Sequence, residues 1–391
     1  MSDRTAGYDA TRIEVLQGWE AIRKRPGMYV GSTGQRGLHQ AVFEVSDRAV
    51  DEVLAGRAGS VGVTLTSDGG VRVTDDGPGV TIEAAGDPRH AGRPGLETLL
   101  TRVNTGTEPH SALATTLARY PAGPAVTNAL SSRLTAEVQR DGVRWVQEYS
   151  GGVAAAPPVA TGPANGSGTS ITFHPDAGIF STTEVSCAVL AQRFRELAFL
   201  NRGLDITLTD ERSPGEPRTE HFRFEGGVTD FVTLLDTEAV TPALRDVIAF
   251  ERTDPRAAVT MEVALRWCGS HEERVLTFVN SRPTPEGGEH ADGFRAGTAA
   301  AVNAYARERR LLTAADPDLS TDHIGEGLTA VVSVKLECPD FQGATRGRLD
   351  GPAISDCVAA AVEEHLSAWL EEQPGRAGAV VGRIVQAARR D

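Results

Sequence analysis

Residues 38–75 constrain the fold more than any other stretch. From 38 to 55, Val42, Val45, Ala49, Val50 and Val53 recur at three- and four-residue spacing, so a helix here buries one face, and Gly56 stops it. Two β-rich runs follow at 60–66 and 71–75, joined by the hairpin signal Ser67-Asp68-Gly69-Gly70. Strand-like runs return at 133–139, 143–149 and 169–173, then a helix over 184–199 and a strand over 204–208. Helices and antiparallel hairpins in this order predict an α+β sandwich. A second unit begins near Glu225-Gly226-Gly227. It holds strands at 259–266 and 274–280, a helix over 291–310 and a strand over 328–336. A loop over 337–348 and helices over 352–370 and 377–390 complete it. A further helix is expected over 12–24, ended by Pro26-Gly27, behind a polar arm. Residues 81–125 are weakly periodic and rich in Gly, Pro, Thr and His, the composition of a lid or an insert.

The 391 residues allow two or three domains, and 40% apolar content is enough for packed cores. No run of eighteen apolar residues and no basic-then-apolar leader occurs, so neither a membrane span nor a secretory signal is expected. The expected location is the cytoplasm. Four cysteines, at 187, 268, 338 and 357, match no ligand spacing, and the nine histidines add none, so no zinc site is expected. A net charge of −14 argues against a surface that coats itself in nucleic acid, though a local basic groove is compatible with it.

Two short constellations carry chemistry. Glu44 lies between Phe43 and Val45 on the long helix, where a carboxylate can be held rigidly and partly desolvated, as a general base requires. Read alone, Phe43-Glu44-Val45-Ser46-Asp47-Arg48-Ala49-Val50-Asp51-Glu52 is an acidic helix face. Thr74-Asp75-Asp76-Gly77-Pro78-Gly79 closes the hairpin. An aspartate at a strand end can accept from the exocyclic amine of a purine, with glycines that admit the ring closely. Read alone, it is an ordinary turn.

In this order and spacing the two resemble the GHKL (Bergerat) ATPase fold shared by gyrase B, topoisomerase IV, MutL, heat-shock chaperones and histidine kinases. Neighbouring strings narrow the resemblance to gyrase B: Val15-Leu16-Gln17-Gly18, Arg23-Lys24-Arg25-Pro26-Gly27-Met28-Tyr29, Gly37-Leu38-His39 and Asn128-Ala129-Leu130-Ser131. Phe224-Glu225-Gly226-Gly227, Phe278-Val279-Asn280, Gly293-Phe294-Arg295 and the run from Glu326 to Lys335 resemble its ribosomal S5-like transducer. The resemblance implies a dimerisation arm at 1–15, an ATPase domain at 16–222 with its lid at about 81–125, and a transducer at 223–391. It implies Glu44 as the base that activates water and Asp75 as the adenine-binding carboxylate, supported by Gly79 and Thr169. Tyr8 would reach a partner's nucleotide from the arm. Arg140 and Pro78 would line the pocket rim that aminocoumarin inhibitors touch.

The departures gather on phosphate chemistry. Where the family has a magnesium-ligating asparagine, four residues after the base, this chain has Arg48. A guanidinium has no lone pair to offer, so Mg²⁺ binding is disfavoured and no metal ligand is expected. Arg48 would instead meet phosphate oxygens, or pair with Glu44 one turn away and hold its oxygens from water. The lid reads Leu117-Ala118-Arg119-Tyr120-Pro121-Ala122-Gly123-Pro124-Ala125, with Gly123 its surviving glycine and two prolines that have no N–H to donate. In the transducer, Ala344-Thr345-Arg346 replaces a glutamine-threonine-lysine loop, so Arg346 would meet the γ-phosphate.

These residues imply a weakly held ATP, a retained adenine end and weak or absent hydrolysis. Two readings follow. One is the ATP-binding, dimerising region of an ATP-dependent type II DNA topoisomerase, a homodimer through its arm that works with a gyrase A-type subunit and DNA. The other is a non-catalytic gyrase B-like protein that binds a nucleotide, an aminocoumarin-type inhibitor or a gyrase partner. The residues leave its standing as an enzyme open between them.

Overall fold

A computed structural model describes residues 18–82, 95–103, 123–237, 247–268, 272–337, 339–342 and 347–390. The arm with Tyr8, lid residues 104–122 and Arg346 lie outside the described residues. Two compact units divide the chain, residues up to 191 with 206–221, and 192–205 with 222 onward.

The first unit opens with α1 (Trp19–Lys24), α2 (Gly27–Val30) and α3 (Gln35–Leu54), then β1 (Val61–Leu65) and β2 (Val71–Asp75). Next come α4 (Leu96–Thr101), α5 (Gly123–Ala129), β3 (Ser131–Arg140), β4 (Val143–Ser150), β5 (Val153–Ala154), β6 (Val159–Pro163) and β7 (Gly168–Pro175). Then follow α6 (Cys187–Leu200), whose residues from 192 on belong to the second unit, β8 (Ile206–Asp210) and β9 (Arg218–Phe222). Strands run in the order β5-β4-β3-β7-β2-β1-β8-β9, with β6 also on β4. Helix α3 packs on β1 and β2 through the expected apolar stripe, and Leu38, Ala41, Val42, Val45, Ala49 and Val50 are each at most 1% exposed. Each such aliphatic side chain contributes about 1.5–3 kcal/mol when fully buried, alanine less. Within 81–125, where little pattern was visible, α4 buries Leu96 and Leu100 completely.

Two details of this unit place the site. Along β2, period-two alternation puts Val71, Val73 and Asp75 on the buried face. Across β2 and β7, Asp75 and Thr169 are direct register partners.

The second unit holds α7 (Val228–Thr237), β10 (Ile248–Asp254), β11 (Val259–Trp267), β12 (Arg274–Val279), β13 (Arg282–Pro283) and α8 (Glu289–Glu308). After α9 (Thr321–Gly325) come β14 (Leu328–Leu336), β15 (Asp340–Gln342), β16 (Arg348–Asp350), α10 (Pro352–Glu372) and α11 (Pro374–Ala388). Its sheet runs β10-β11-β14-β12-β13, with β12 and β14 parallel. On one face Phe231 and Val232 of α7 meet Ala264, Phe278 and Val331. On the other, Phe294 and Val302 of α8 and Val358 of α10 join Met261, Val263, Val332 and Val334. The stretch expected to be a loop over 337–348 contains β15 and runs into β16, a short hairpin. No helix among the described residues is long and apolar enough to cross a membrane.

His290 on α8 is fully buried, with its Nε2 3.1 Å from the Thr284 hydroxyl. Burial pushes its pKa down to about 4, because an imidazolium there would lose its hydration. The unfolded chain therefore takes up the proton first. The stability this histidine contributes is complete above pH 6.5 and declines as pH falls through about 4. Melts from pH 7 to 4 should show that decline, and His290→Gln should flatten it. Equal slopes for both proteins would assign the acid sensitivity elsewhere.

Candidate functional site

The site grows from α3 over the buried face of β2. Glu44 is 6% exposed, and both carboxylate oxygens are engaged. Oε1 accepts from the Gln40 side-chain amide at 2.6 Å, and Oε2 accepts from the Gly123 backbone N–H at 2.8 Å. Gln40 lies one turn before Glu44 on the same helix face, and that spacing was the signal by which it could have been found. Gly123 adopts φ +61°, in the left-handed region that favours glycine. The surviving lid glycine thus turns its N–H to the candidate base.

One turn further along α3, Arg48 departs from expectation. Its guanidinium hydrogen-bonds the Asp75 carboxylate through Nη1, while Nη2 lies 3.4 Å from the Thr169 hydroxyl oxygen. Its partner along the helix is Glu52 at 3.8 Å, not Glu44, and Glu52 also receives Arg57 Nε at 2.7 Å. Physical reach explains this. Asp75 faces α3 from the inner side of β2, and an arginine side chain is long enough to span the gap. A desolvated carboxylate is the stronger attractor for a cation within reach.

Asp75 ends β2 on its buried face. Its Oδ1 accepts the Gly77 N–H at 3.1 Å. Burial raises its pKa above the usual carboxylate range, opposed by the Arg48 charge and the Gly77 hydrogen bond. The Thr169 hydroxyl oxygen accepts from the Val80 N–H at 3.1 Å. The neighbouring Asp76 is structural, taking the Gly59 and Ser60 N–H groups at 2.7 and 3.0 Å to close the turn. Gly79 sits at φ +74°, and a Cβ there would lie 2.6 Å from the Gln139 carbonyl oxygen, so the turn requires glycine. Arg140 clamps the same turn from the edge. Its Nη1 donates to the Gly79 and Pro78 carbonyls at 2.8 and 3.4 Å.

The structure therefore brings Glu44, Arg48, Asp75, Pro78, Gly79, Gly123, Arg140 and Thr169 together within one unit. Tyr8 and Arg346 fall outside the described residues. No group of three acidic, cysteine or histidine side chains suited to a metal occurs among the described residues.

Comparison with known proteins gives this geometry a family. The family model for DNA gyrase B matches residues 227–391. The DNA gyrase B protein of Streptomyces coelicolor is 42% identical over 99% of this chain and 58% of its own length. The novobiocin-resistant DNA gyrase B protein of Streptomyces niveus is 42% identical over 98% of this chain and 58% of its own. The chain thus spans 58% of the length of these relatives. The crystal structure of the 43K ATPase domain of Thermus thermophilus gyrase B, in complex with an aminocoumarin, superposes with a TM-score of 0.77. It is 33% identical, and the match covers 98% of each chain. The mixed helix-and-sheet architecture is accordingly the GHKL ATPase fold followed by a transducer. Matched from end to end by that ATPase domain, the chain belongs to the DNA gyrase B family.

Proposed function

We propose that this region binds a nucleotide and dimerises as the ATP-binding part of a cytoplasmic type II DNA topoisomerase, with hydrolysis weak or lost. The observation that carries this reading is the Arg48 guanidinium, which stands where the family places a magnesium ligand and reaches into the nucleotide base subsite. It has no lone pair for a cation and would repel one. The residues present do not fit Mg²⁺.

What remains is a site for holding rather than turning over. Glu44, fixed by Gln40 and Gly123, can orient a water. Asp75, Thr169 and Gly79 supply a floor for a base, and Arg140 supplies the rim. Stabilisation of the leaving phosphates is the missing part, because phosphoryl transfer depends on it more than on any covalent help from the protein. One missing transition-state contact costs about 3–4 kcal/mol, roughly a hundred- to a thousandfold in rate. Steady-state turnover should lie at least about 100-fold below that of an ordinary gyrase B ATPase domain measured alongside. Added Mg²⁺ should change ATP affinity by less than about threefold. Turnover within about tenfold of that domain overturns the reading.

Pairing of two copies through the arm with Tyr8, a nucleotide-phosphate contact from Arg346, and assembly with a gyrase A-type subunit and DNA belong to the same proposal. A second reading, a non-catalytic protein that binds a nucleotide, an aminocoumarin-type inhibitor or a gyrase partner, is favoured by the Arg140 clamp on the Pro78 and Gly79 carbonyls. The related Thermus domain is in complex with such a compound. Calorimetry separates the two: ATP held more tightly than ADP favours the first, an aminocoumarin held while nucleotides are ignored favours the second.

A further inference from the structure

Resting on the nucleotide-binding reading above, we propose that Arg48 sets the base preference of this site, so that it takes a purine with a carbonyl at position 6 in preference to one with an amine. Three observations carry this. The Asp75 side chain is only 1% exposed, against 14% for Arg48. Of the pair, the guanidinium is the member a ligand meets.

Second, the acceptors around the pair are engaged or buried: each Asp75 oxygen holds one partner and keeps its second lone pair on a side chain only 1% exposed. Asp75 Oδ2 takes Arg48 and its Oδ1 takes the Gly77 N–H. The Thr169 hydroxyl oxygen takes the Val80 N–H and Arg48 Nη2, which spends both lone pairs and leaves its O–H to donate. Third, a guanidinium carries five N–H donors. Hydrogen bonds to Asp75 and Thr169 use two of them, and the ion pair with Glu52 at 3.8 Å is too long to use a third. The inner wall is therefore rich in donors and poor in open acceptors.

An exocyclic amine needs an acceptor and would meet N–H groups, or would have to push the cation off a buried carboxylate. A carbonyl oxygen meets the same N–H groups without disturbing the ion pair. Arginine pairs with O6 and N7 of a 6-oxo purine in nucleic acids through this same fork. An asparagine at position 48 is too short to make the contact, so Arg48→Asn exposes Asp75 as an acceptor again.

Inosine triphosphate and ATP differ at the purine six-membered ring edge and nowhere else, which makes them the probes. Calorimetry on the full chain without Mg²⁺ should find inosine triphosphate bound about tenfold or more tighter than ATP. In Arg48→Asn the order should reverse. ATP equal to or tighter than inosine triphosphate in the unaltered chain overturns the proposal. So does a result in which the unaltered chain binds neither but Arg48→Asn binds ATP, because Arg48 would then only obstruct. If neither protein binds either triphosphate, the nucleotide-binding reading itself fails. The unaltered chain alone provides the first comparison, so misfolding of the variant does not remove the test.

Discussion

Asp75→Ala should lower the free energy of unfolding by about 3 kcal/mol, because it strands a guanidinium that has little access to water. Breaking a buried pair by removing one partner typically costs about 3–5 kcal/mol, since the remaining charge keeps its desolvation penalty and loses its compensation. The lower end applies here, with the Arg48 side chain 14% exposed and Glu52 3.8 Å away as a residual partner. Replacing both residues, Arg48→Met with Asp75→Ala, should restore most of the loss, since an apolar pair leaves no uncompensated charge. Urea unfolding of Asp75→Ala, of Arg48→Met alone and of the double variant, beside the unaltered chain, closes the cycle. A loss under about 1 kcal/mol for Asp75→Ala would mean that Arg48 swings freely to solvent. Such an arginine could not set a base preference either.

That pair also shows where sequence reasoning stops. Residues 38–55 announced a helix because apolar positions repeat at its period, and the observed α3 spans Gln35–Leu54. The hairpin, and Asp75 at its end, followed from two β-rich runs and the Ser67-Asp68-Gly69-Gly70 turn between them, and β1 and β2 fall within the expected runs. Periodicity settles which face a side chain leaves from. It does not settle which of several carboxylates within reach a long side chain will choose. Glu44 and Glu52 are both one helical turn from Arg48, and Asp75 is 27 positions away in sequence, yet the remote partner takes the shortest contact. Short elements escaped for a different reason. β15 and β16 have three residues each, and α4 has six, too few to display a period. They exist because tertiary packing selects them, as the complete burial of Leu96 and Leu100 shows.

Gly297→Val in α8 should destabilise the second unit by about 3 kcal/mol or more. In an open helix, replacing glycine by alanine gains about 1 kcal/mol from reduced backbone freedom, and valine gains less. At Gly297 a Cβ would stand 2.4 Å from the Ala359 carbonyl oxygen on α10 and 3.0 Å from Val362 Cβ. Gly293, one turn earlier, meets the Ser355 carbonyl at 2.4 Å in the same way. Because the obstacle is helix backbone, no rotamer change relieves it, and α8 and α10 must separate. Overpacking of this kind costs about 1–3 kcal/mol and occasionally more. Valine adds two methyl groups that push toward the same backbone, so its cost sits at the high end and exceeds the propensity gain. Helix α11 supplies the internal control, because a Cβ at Gly378 or Gly382 would meet nothing within 4 Å. Gly382→Ala should therefore stabilise the same unit by about 0.5–1 kcal/mol. Opposite signs at two helical glycines, read in one set of thermal melts, would establish that contact rather than propensity decides the α8–α10 packing. Two changes of the same sign would refute it.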